Sequence, residues 1–154
     1  MNEEIIIGLL ALVIFSYFLM INIIYFLAPT KILKEFPKKC PNSTKCTRVA
    51  DTKTRGYGLE TIKLKKGVEQ TQQKISEIIK NETSMKIIFT KKGFMHAVDK
   101  TAFFKFHDDI TINIFEEKNK TNVWLQSQSR LGIYDFSVNE KRIQMIHKKI
   151  SEIS

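Results

Sequence analysis

The chain has 154 residues and a formal net charge of +9 at pH 7, with 25 Lys and Arg against 16 Asp and Glu. This length suits one domain and excludes a large multidomain enzyme. One apolar run is long enough to cross a bilayer, so the chain is neither a multi-span channel nor a free soluble protein.

The apolar run extends without a charge from Ile5 to Ala28. As a helix at about 1.5 Å per residue it would be about 36 Å long, and a bilayer's hydrocarbon core is about 30 Å thick. A cleaved signal peptide is disfavoured, because no Lys or Arg precedes the run and no small-residue cleavage site follows it. A buried core helix is disfavoured because the run is apolar on all faces. We predict a retained transmembrane helix over 5–28, ended by Pro29.

The sequences that flank this helix predict its orientation in the membrane. Glu3 and Glu4 precede the helix, and four lysines follow it closely. The positive-inside rule therefore places the C-terminal domain on the cytoplasmic side. Three N-x-Ser/Thr sequons would favour a lumenal domain if they were used, but in a chain rich in Asn, Lys and Thr we attribute them to chance. The lysines are Lys31, Lys34, Lys38 and Lys39, and the sequons begin at Asn42, Asn81 and Asn119.

Residues 29–66 are predicted to be a linker and irregular lead-in, because Pro and Gly interrupt any periodicity. This segment contains both cysteines, Cys40 and Cys46, as Cys-Pro-x4-Cys. A structural zinc site needs four ligands, and the 3 histidines are distant and unpatterned, so no metal is predicted. A disulfide is possible, but it requires an oxidising compartment and so conflicts with the orientation that the lysines predict.

Residues 67–154 have the pattern of an α+β domain. Apolar residues recur at helical spacing over 68–79, and the next helix is predicted to start at Ser137, where Ser137-x-x-Glu140 has the form of a capping box. Between the helices lie β-type runs, which predict an antiparallel sheet of about four strands with helices on one face, in the order α-β-β-β-β-α. These runs are Met85–Thr90, Phe94–Val98, Ala102–His107, 110–115 and 123–130.

The densest polar stretch joins the last predicted strand to the last helix. Residues 127–142 read Ser-Gln-Ser-Arg-Leu-Gly-Ile-Tyr-Asp-Phe-Ser-Val-Asn-Glu-Lys-Arg. This stretch resembles the signature Ser-x-Ser-Arg-x-Gly-x-x-Asp-x-x-Val-Asn-x-x-Arg of the domain of unknown function 1499 family. Residues 104–109 resemble that family's Phe-Arg-Phe-Val-Asp-Asp, and the Cys-Pro-x4-Cys motif resembles its opening Cys-Pro…Cys. The resemblance covers residues 40–150 and implies no particular activity.

The polar residues of these motifs form the candidate ligand-binding site. Arg130 and Asp135 can form a charge-assisted pair, and Asn139 and Arg142 lie on one face of the helix start. Neighbouring Asp108 and Asp109 would point to opposite faces of a strand, so they are not a ready acid/base pair. The same residues could instead be a structural connection between strand and helix. The full candidate set is Ser129, Arg130, Asp135, Asn139, Arg142, Asp108 and Asp109.

Three functions are compatible with this set. The first is a non-catalytic binding module for an anionic headgroup or small anionic ligand at the membrane surface, with Arg130 and Arg142 as cationic donors. The second is a scaffold or assembly factor that docks another membrane protein. The third is a hydrolase that uses Asp108, Asp109 and Arg130, but the sequence has no nucleophile–base–oxyanion set, which favours a non-enzyme. No cofactor is predicted, and scattered basic residues disfavour nucleic-acid binding.

Overall fold

The computed structural model describes residues 3–28, 31–82, 84–101 and 104–153. The first helix, α1 (Glu3–Leu27), buries none of its residues. It is long and apolar enough to cross a membrane, although a signal sequence would satisfy the same criteria. Pro29, which was predicted to end the helix, lies outside the described residues.

Within the described residues, seven strands form a single antiparallel sheet in the order β2-β1-β7-β6-β5-β4, and β3 also pairs with β7. In the same described part of the chain, the α-helices α2 (Val68–Lys80) and α3 (Val138–Ser151) and a short 3-10 helix (Ser43–Lys45) accompany the sheet. The strands are β1 (Cys46–Val49), β2 (Lys53–Thr54), β3 (Ile62–Leu64), β4 (Met85–Lys91), β5 (Phe94–Lys100), β6 (His107–Glu117) and β7 (Lys120–Ser129).

The α+β class and the antiparallel sheet are confirmed, but the predicted strand number and element order are wrong. Strands β1 to β3 lie within residues 29–66, which were expected to be irregular, and they precede α2. Each has four residues or fewer, too short for alternation to be recognised. The expected strand Ala102–His107 is also wrong for its described part, because only His107 belongs to a strand, and residues 102–103 lie outside the description.

Helices α2 and α3 pack on one face of the sheet. Alternate residues of the central strands, such as Ile110 and Ile112 in β6, point towards them and are almost fully buried. Residues Ile143, Ile146 and Ile150 of α3 form the opposing stripe, at the helical spacing that the sequence shows. Each buried isoleucine contributes about 1.5–3 kcal/mol relative to an exposed one, so this layer is the main hydrophobic core.

An extended segment, residues 31–42, covers the opposite face of the sheet and is called the strap below. Its backbone is held by side chains that alternation directs away from the helices. The Leu33 amide donates a hydrogen bond to His96 Nδ1 at 3.0 Å, and Arg48 Nη1 donates to the Pro37 carbonyl at 2.6 Å. Polar side chains of the sheet therefore hold the strap backbone at these two points.

An aromatic contact and a disulfide hold the remainder of the strap. The Phe36 ring lies 5.9 Å from the Trp124 ring, and the Arg48 guanidinium lies 4.7 Å from the centre of the Phe36 ring. Cys40 is bonded to Cys46, the first residue of β1. The disulfide thus joins the strap covalently to β1 of the sheet.

Candidate functional site

The candidate residues gather at one end of the sheet, where β6 begins and β7 ends, which we call the anchor end. Asp108 of β6 lies opposite Ser129 of β7, and Asp109 lies opposite Gln128. Alternation directs Asp108 towards the helices and Asp109 towards the strap, as predicted for neighbouring strand residues. The two carboxylates therefore belong to separate clusters.

On the helix side, one arginine holds two carboxylates. Arg142 lies 2.6 Å from Asp99 Oδ2 and 2.9 Å from Asp108 Oδ2, and its side chain is 4% exposed. Burial raises the pKa of Asp108, and the attraction of Arg142 offsets this only in part. A single guanidinium shared between two buried carboxylates thus leaves Asp108 harder to ionise than an ordinary aspartate.

Asn139, in the first turn of α3, connects this cluster to the end of β7. Its Oδ1 accepts hydrogen bonds from Ser127 Oγ at 2.5 Å and from Arg142 Nη1 at 2.7 Å. Its Nδ2 donates to Ser129 Oγ at 2.9 Å and to Asp135 Oδ2 at 2.7 Å. These five residues form a buried connection between strand and helix, which we call the clasp.

The predicted pair between Arg130 and Asp135 is wrong. Asp135 instead accepts a hydrogen bond from Arg55 at 2.7 Å, and Arg55 also donates to the Thr44 carbonyl. Burial raises the pKa of Asp135, but the hydrogen bonds from Arg55 and Asn139 outweigh this and hold the pKa below its ordinary value. The sequence did not indicate Arg55, because no motif surrounds it and it lies 80 positions from its partner Asp135.

The predicted capping box of the last helix is also wrong. Ser137 has a φ of 60° and caps α3 with no side-chain hydrogen bond. Asp135 performs this task, because its carboxylate accepts hydrogen bonds from the backbone amides of Ser137 and Asn139, each at 3.2 Å. A carboxylate at this position also complements the positive end of the helix dipole.

On the strap side, Asp109 is held by two partners. Arg130 Nη2 donates to Asp109 Oδ1 at 2.7 Å, and Arg130 Nε donates to Asp109 Oδ2 at 3.1 Å. His96 Nε2 lies 2.7 Å from Asp109 Oδ1. Burial raises the pKa of Asp109, but the hydrogen bonds from His96 and Arg130 lower it by more. The pKa of Asp109 therefore lies below its ordinary value.

The contact between His96 and Asp109 resembles part of a catalytic site, but both groups are occupied. The Leu33 amide donates to His96 Nδ1, so Nδ1 is the acceptor and Nε2 carries the hydrogen donated to Asp109. His96 is 0% exposed. With both ring nitrogens engaged inside the packed domain, this pair positions the strap and cannot reach an external substrate.

A cleft of about 640 Å³ opens at the anchor end, between the end of α1 and the sheet. Arg130 is the one member of the candidate set that lines it. The sequence did not indicate this cleft, because its lining comes from five separated segments. Its basic residues are Lys31, Lys86, Lys100 and Arg130, and its apolar residues include Tyr25, Phe26, Ile32, Ile88 and Val98.

His107 also lines the cleft, and its ring lies 6.5 Å from the ring of Tyr25. Burial lowers the pKa of His107, and the positive charges of Lys100 and Arg130 lower it further. The imidazole is therefore neutral at pH 7, and the lysines supply the positive charge of the cleft.

The fold and the site define a small antiparallel α+β domain with a buried strand–helix clasp, preceded by an apolar helix. Residues 38–150 match the family model described as protein of unknown function (DUF1499), and the chain belongs to this family. The resemblance predicted from the three sequence motifs is confirmed. No match to this chain was found among curated proteins.

Proposed function

We propose that this protein is a single-pass membrane-anchored binding module that takes an anionic lipid headgroup in the cleft at the anchor end. The observation that carries this proposal is the lining of the cleft, in which lysines stand beside exposed apolar side chains next to the end of α1. A phosphate-bearing headgroup would meet the lysines, and the glycerol and upper acyl region would meet the apolar wall.

Three lysines are the cationic donors in this proposal, rather than the two arginines that the sequence suggested. Arg130 and Arg142 are already paired with buried carboxylates on opposite faces of the sheet. Lys31, Lys86 and Lys100 are exposed, and within the described residues none of them forms an ion pair. Each lysine near an anionic leaflet contributes about 1 kcal/mol.

The side of the membrane on which the domain lies is the finer part of this proposal. The lysines after α1 predict the cytoplasmic side, whereas the bonded Cys40 and Cys46 favour an oxidising compartment. Alkylation of unreduced protein from membranes, followed by intact-mass measurement, decides between them. Two alkylated cysteines support the cytoplasmic side, and unmodified cysteines support the opposite side.

The binding test uses the full chain in neutral phosphatidylcholine nanodiscs, titrated by calorimetry with a water-soluble short-chain phosphatidic acid. Lys86→Ala with Lys100→Ala removes two donors, and at about 1 kcal/mol each the affinity should fall about 30-fold. The matched control is Lys92→Ala with Lys120→Ala, which removes two exposed lysines distant from the cleft and should leave affinity unchanged.

Three results would overturn the proposal. The first is equal affinity of the cleft variant and the control variant, which would show that the lysines of the cleft are not the donors. The second is equally tight binding of short-chain phosphatidylcholine, and the third is competition by a free anion. Competition by inorganic phosphate at the same concentration as the lipid would assign the cleft to a free anion instead of a lipid headgroup.

A further inference from the structure

The loop between β7 and α3 exposes a contiguous set of apolar side chains. Ile133 is 84% exposed, Tyr134 is 54% exposed and Phe136 is 81% exposed. The rings of Tyr134 and Phe136 are in edge contact, with their centres 5.4 Å apart. Exposed apolar residues are unremarkable when scattered singly, but a contiguous aromatic set marks an interaction surface.

This loop is rigidly mounted. Asp135 points inwards to Arg55 and Asn139, whereas the residues on either side of it point outwards. Thr44 Oγ1 donates a hydrogen bond to the Ile133 carbonyl, which ties the loop to the segment before β1. The exposure of the three apolar side chains therefore comes from a loop whose base is held by the Arg55–Asp135 ion pair and by hydrogen bonds with Asn139 and Thr44.

The loop lies at the anchor end of the sheet, because it directly follows the last residue of β7. Tyr25, near the end of α1, contacts His107 at this same end. Lys100 and Lys105 are exposed beside the β5–β6 connection, which also exposes 44% of Phe104. The opposite end of the sheet carries the polar turns at 92–93 and 118–119. Apolar, aromatic and basic groups thus concentrate where α1 meets the domain.

We infer that Ile133, Tyr134 and Phe136 insert into the interfacial layer of the bilayer that α1 spans, so that the domain is docked on its membrane at a second point. This inference rests on the anchoring part of the proposed function. Aromatic side chains favour the membrane interface, and apolar groups of a surface segment bury at the boundary between headgroups and acyl chains. Lys100 and Lys105 would then face anionic headgroups.

The test places single tryptophans in the full chain, reconstituted in phosphatidylcholine bilayers with chains brominated near the headgroup or near the midplane. Phe136→Trp reports on the loop, Phe15→Trp on α1, and Lys92→Trp on the opposite end of the sheet. The native Trp124 packs between Phe36 and Phe115, so the wild-type chain supplies the background emission. Neutral lipid is used so that insertion is measured without occupation of the proposed headgroup cleft.

The expected result is a loss of the added Phe136→Trp emission with the shallow bromines and a loss of the Phe15→Trp emission with the deep ones. The Lys92→Trp emission should match that in unbrominated lipid.

Quenching of Phe15→Trp without quenching of Phe136→Trp would overturn the inference but support the membrane anchor. The loop surface would then be assigned to a protein partner. Absence of quenching at both positions would overturn the anchor and the inference together. Equal quenching of Phe136→Trp and Lys92→Trp would also overturn the inference, since it would mean that the domain lies on the bilayer without a preferred end.

Discussion

The helix-covered face and the strap-covered face of the sheet are buried by different interactions. Ile110, Ile112 and Leu125 point to the helices and are packed by isoleucines, so burial of apolar surface stabilises that face. On the strap face, the buried side chains include Arg48 and His96, each of which forms one of its hydrogen bonds with the strap backbone. A buried polar group is costly whenever its partner is lost. The helix face also buries such a group, since Arg142 is paired there with Asp99 and Asp108, so the two faces can be compared through the polar cluster that each one contains.

Asp108 and Asp109 show this difference at neighbouring positions. Both carboxylates are buried, yet the pKa of Asp108 is raised and that of Asp109 is lowered. Asp108 shares one guanidinium with Asp99, whereas Asp109 receives hydrogen bonds from both Arg130 and His96. Burial raises the pKa of both carboxylates. At Asp108 the charge of Asp99 raises the pKa as well, and Arg142 and Ser129 offset these effects only in part, whereas at Asp109 the hydrogen bonds from His96 and Arg130 outweigh burial.

The largest expected effect comes from Arg142→Ala on the helix face. The substitution leaves Asp99 and Asp108 buried near each other without their cation, and removal of one partner from a buried ion pair costs about 3–5 kcal/mol. Denaturant unfolding of the full chain in detergent micelles measures this loss. Lys141→Ala changes the exposed neighbour in α3 and should remain within about 0.5 kcal/mol of the wild type.

A smaller loss is expected for Arg130→Ala on the strap face. The substitution removes the hydrogen bonds from Arg130 to Asp109 and to the Lys31 carbonyl, but His96 remains as a donor to Asp109. Hydrogen bonds to charged groups contribute about 1.5–3 kcal/mol, so a loss of about that size is expected in the same unfolding experiment. A cost equal to that of Arg142→Ala would contradict the view that a second donor protects Asp109.

Removal of the disulfide should destabilise the strap without destabilising the helix-covered face of the sheet. The bond closes a loop with a sequence separation of 6, and chain-entropy estimates for so short a loop give about 2 kcal/mol. Cys40→Ser with Cys46→Ser should accelerate hydrogen exchange at the Leu33 amide, which donates its hydrogen bond to His96 of the sheet. The amides of Ile146 and Ile150 in α3 should keep their relative protection. Equal loss of protection in the strap and in α3 would show that the two faces unfold as one unit.

The same contrast explains which parts of the structure could be predicted from sequence. The helix face repeats an apolar residue at regular spacing, as in Ile143, Ile146 and Ile150. The helical periodicity of the sequence was therefore sufficient to predict the packed helix layer. The strap has no period, and its contact between Leu33 and His96 joins positions 63 apart. Pairing by proximity also failed, since Arg130 was expected to bind Asp135, five residues away, and instead binds Asp109, 21 residues away. The sequence predicted some of the ionisable residues that gather here, but not Arg55, His96 or Asp99, because these lie far along the chain from the residues that they contact in the fold.

The smallest expected effect is a difference in the pH dependence of stability between Asp108→Asn and Asp109→Asn. The pKa of Asp109 is lowered on folding, so Asp109 stabilises the fold above the ordinary carboxyl pKa and loses that contribution as pH falls through its folded value. The pKa of Asp108 is raised, so its contribution is present below the ordinary pKa of 3.8 and is lost as pH rises through the folded value.

The free energy of unfolding of Asp108→Asn should therefore fall less than that of the wild type when the pH is raised from acid to neutral. The free energy of unfolding of Asp109→Asn should rise less than that of the wild type over the same pH change. This variant lacks a carboxylate whose stabilising contribution grows as the pH rises through the acid range. Unfolding curves for both variants and the wild type across this pH range give the slopes, and identical slopes for the two variants would contradict the assignment of opposite pKa shifts to these neighbours.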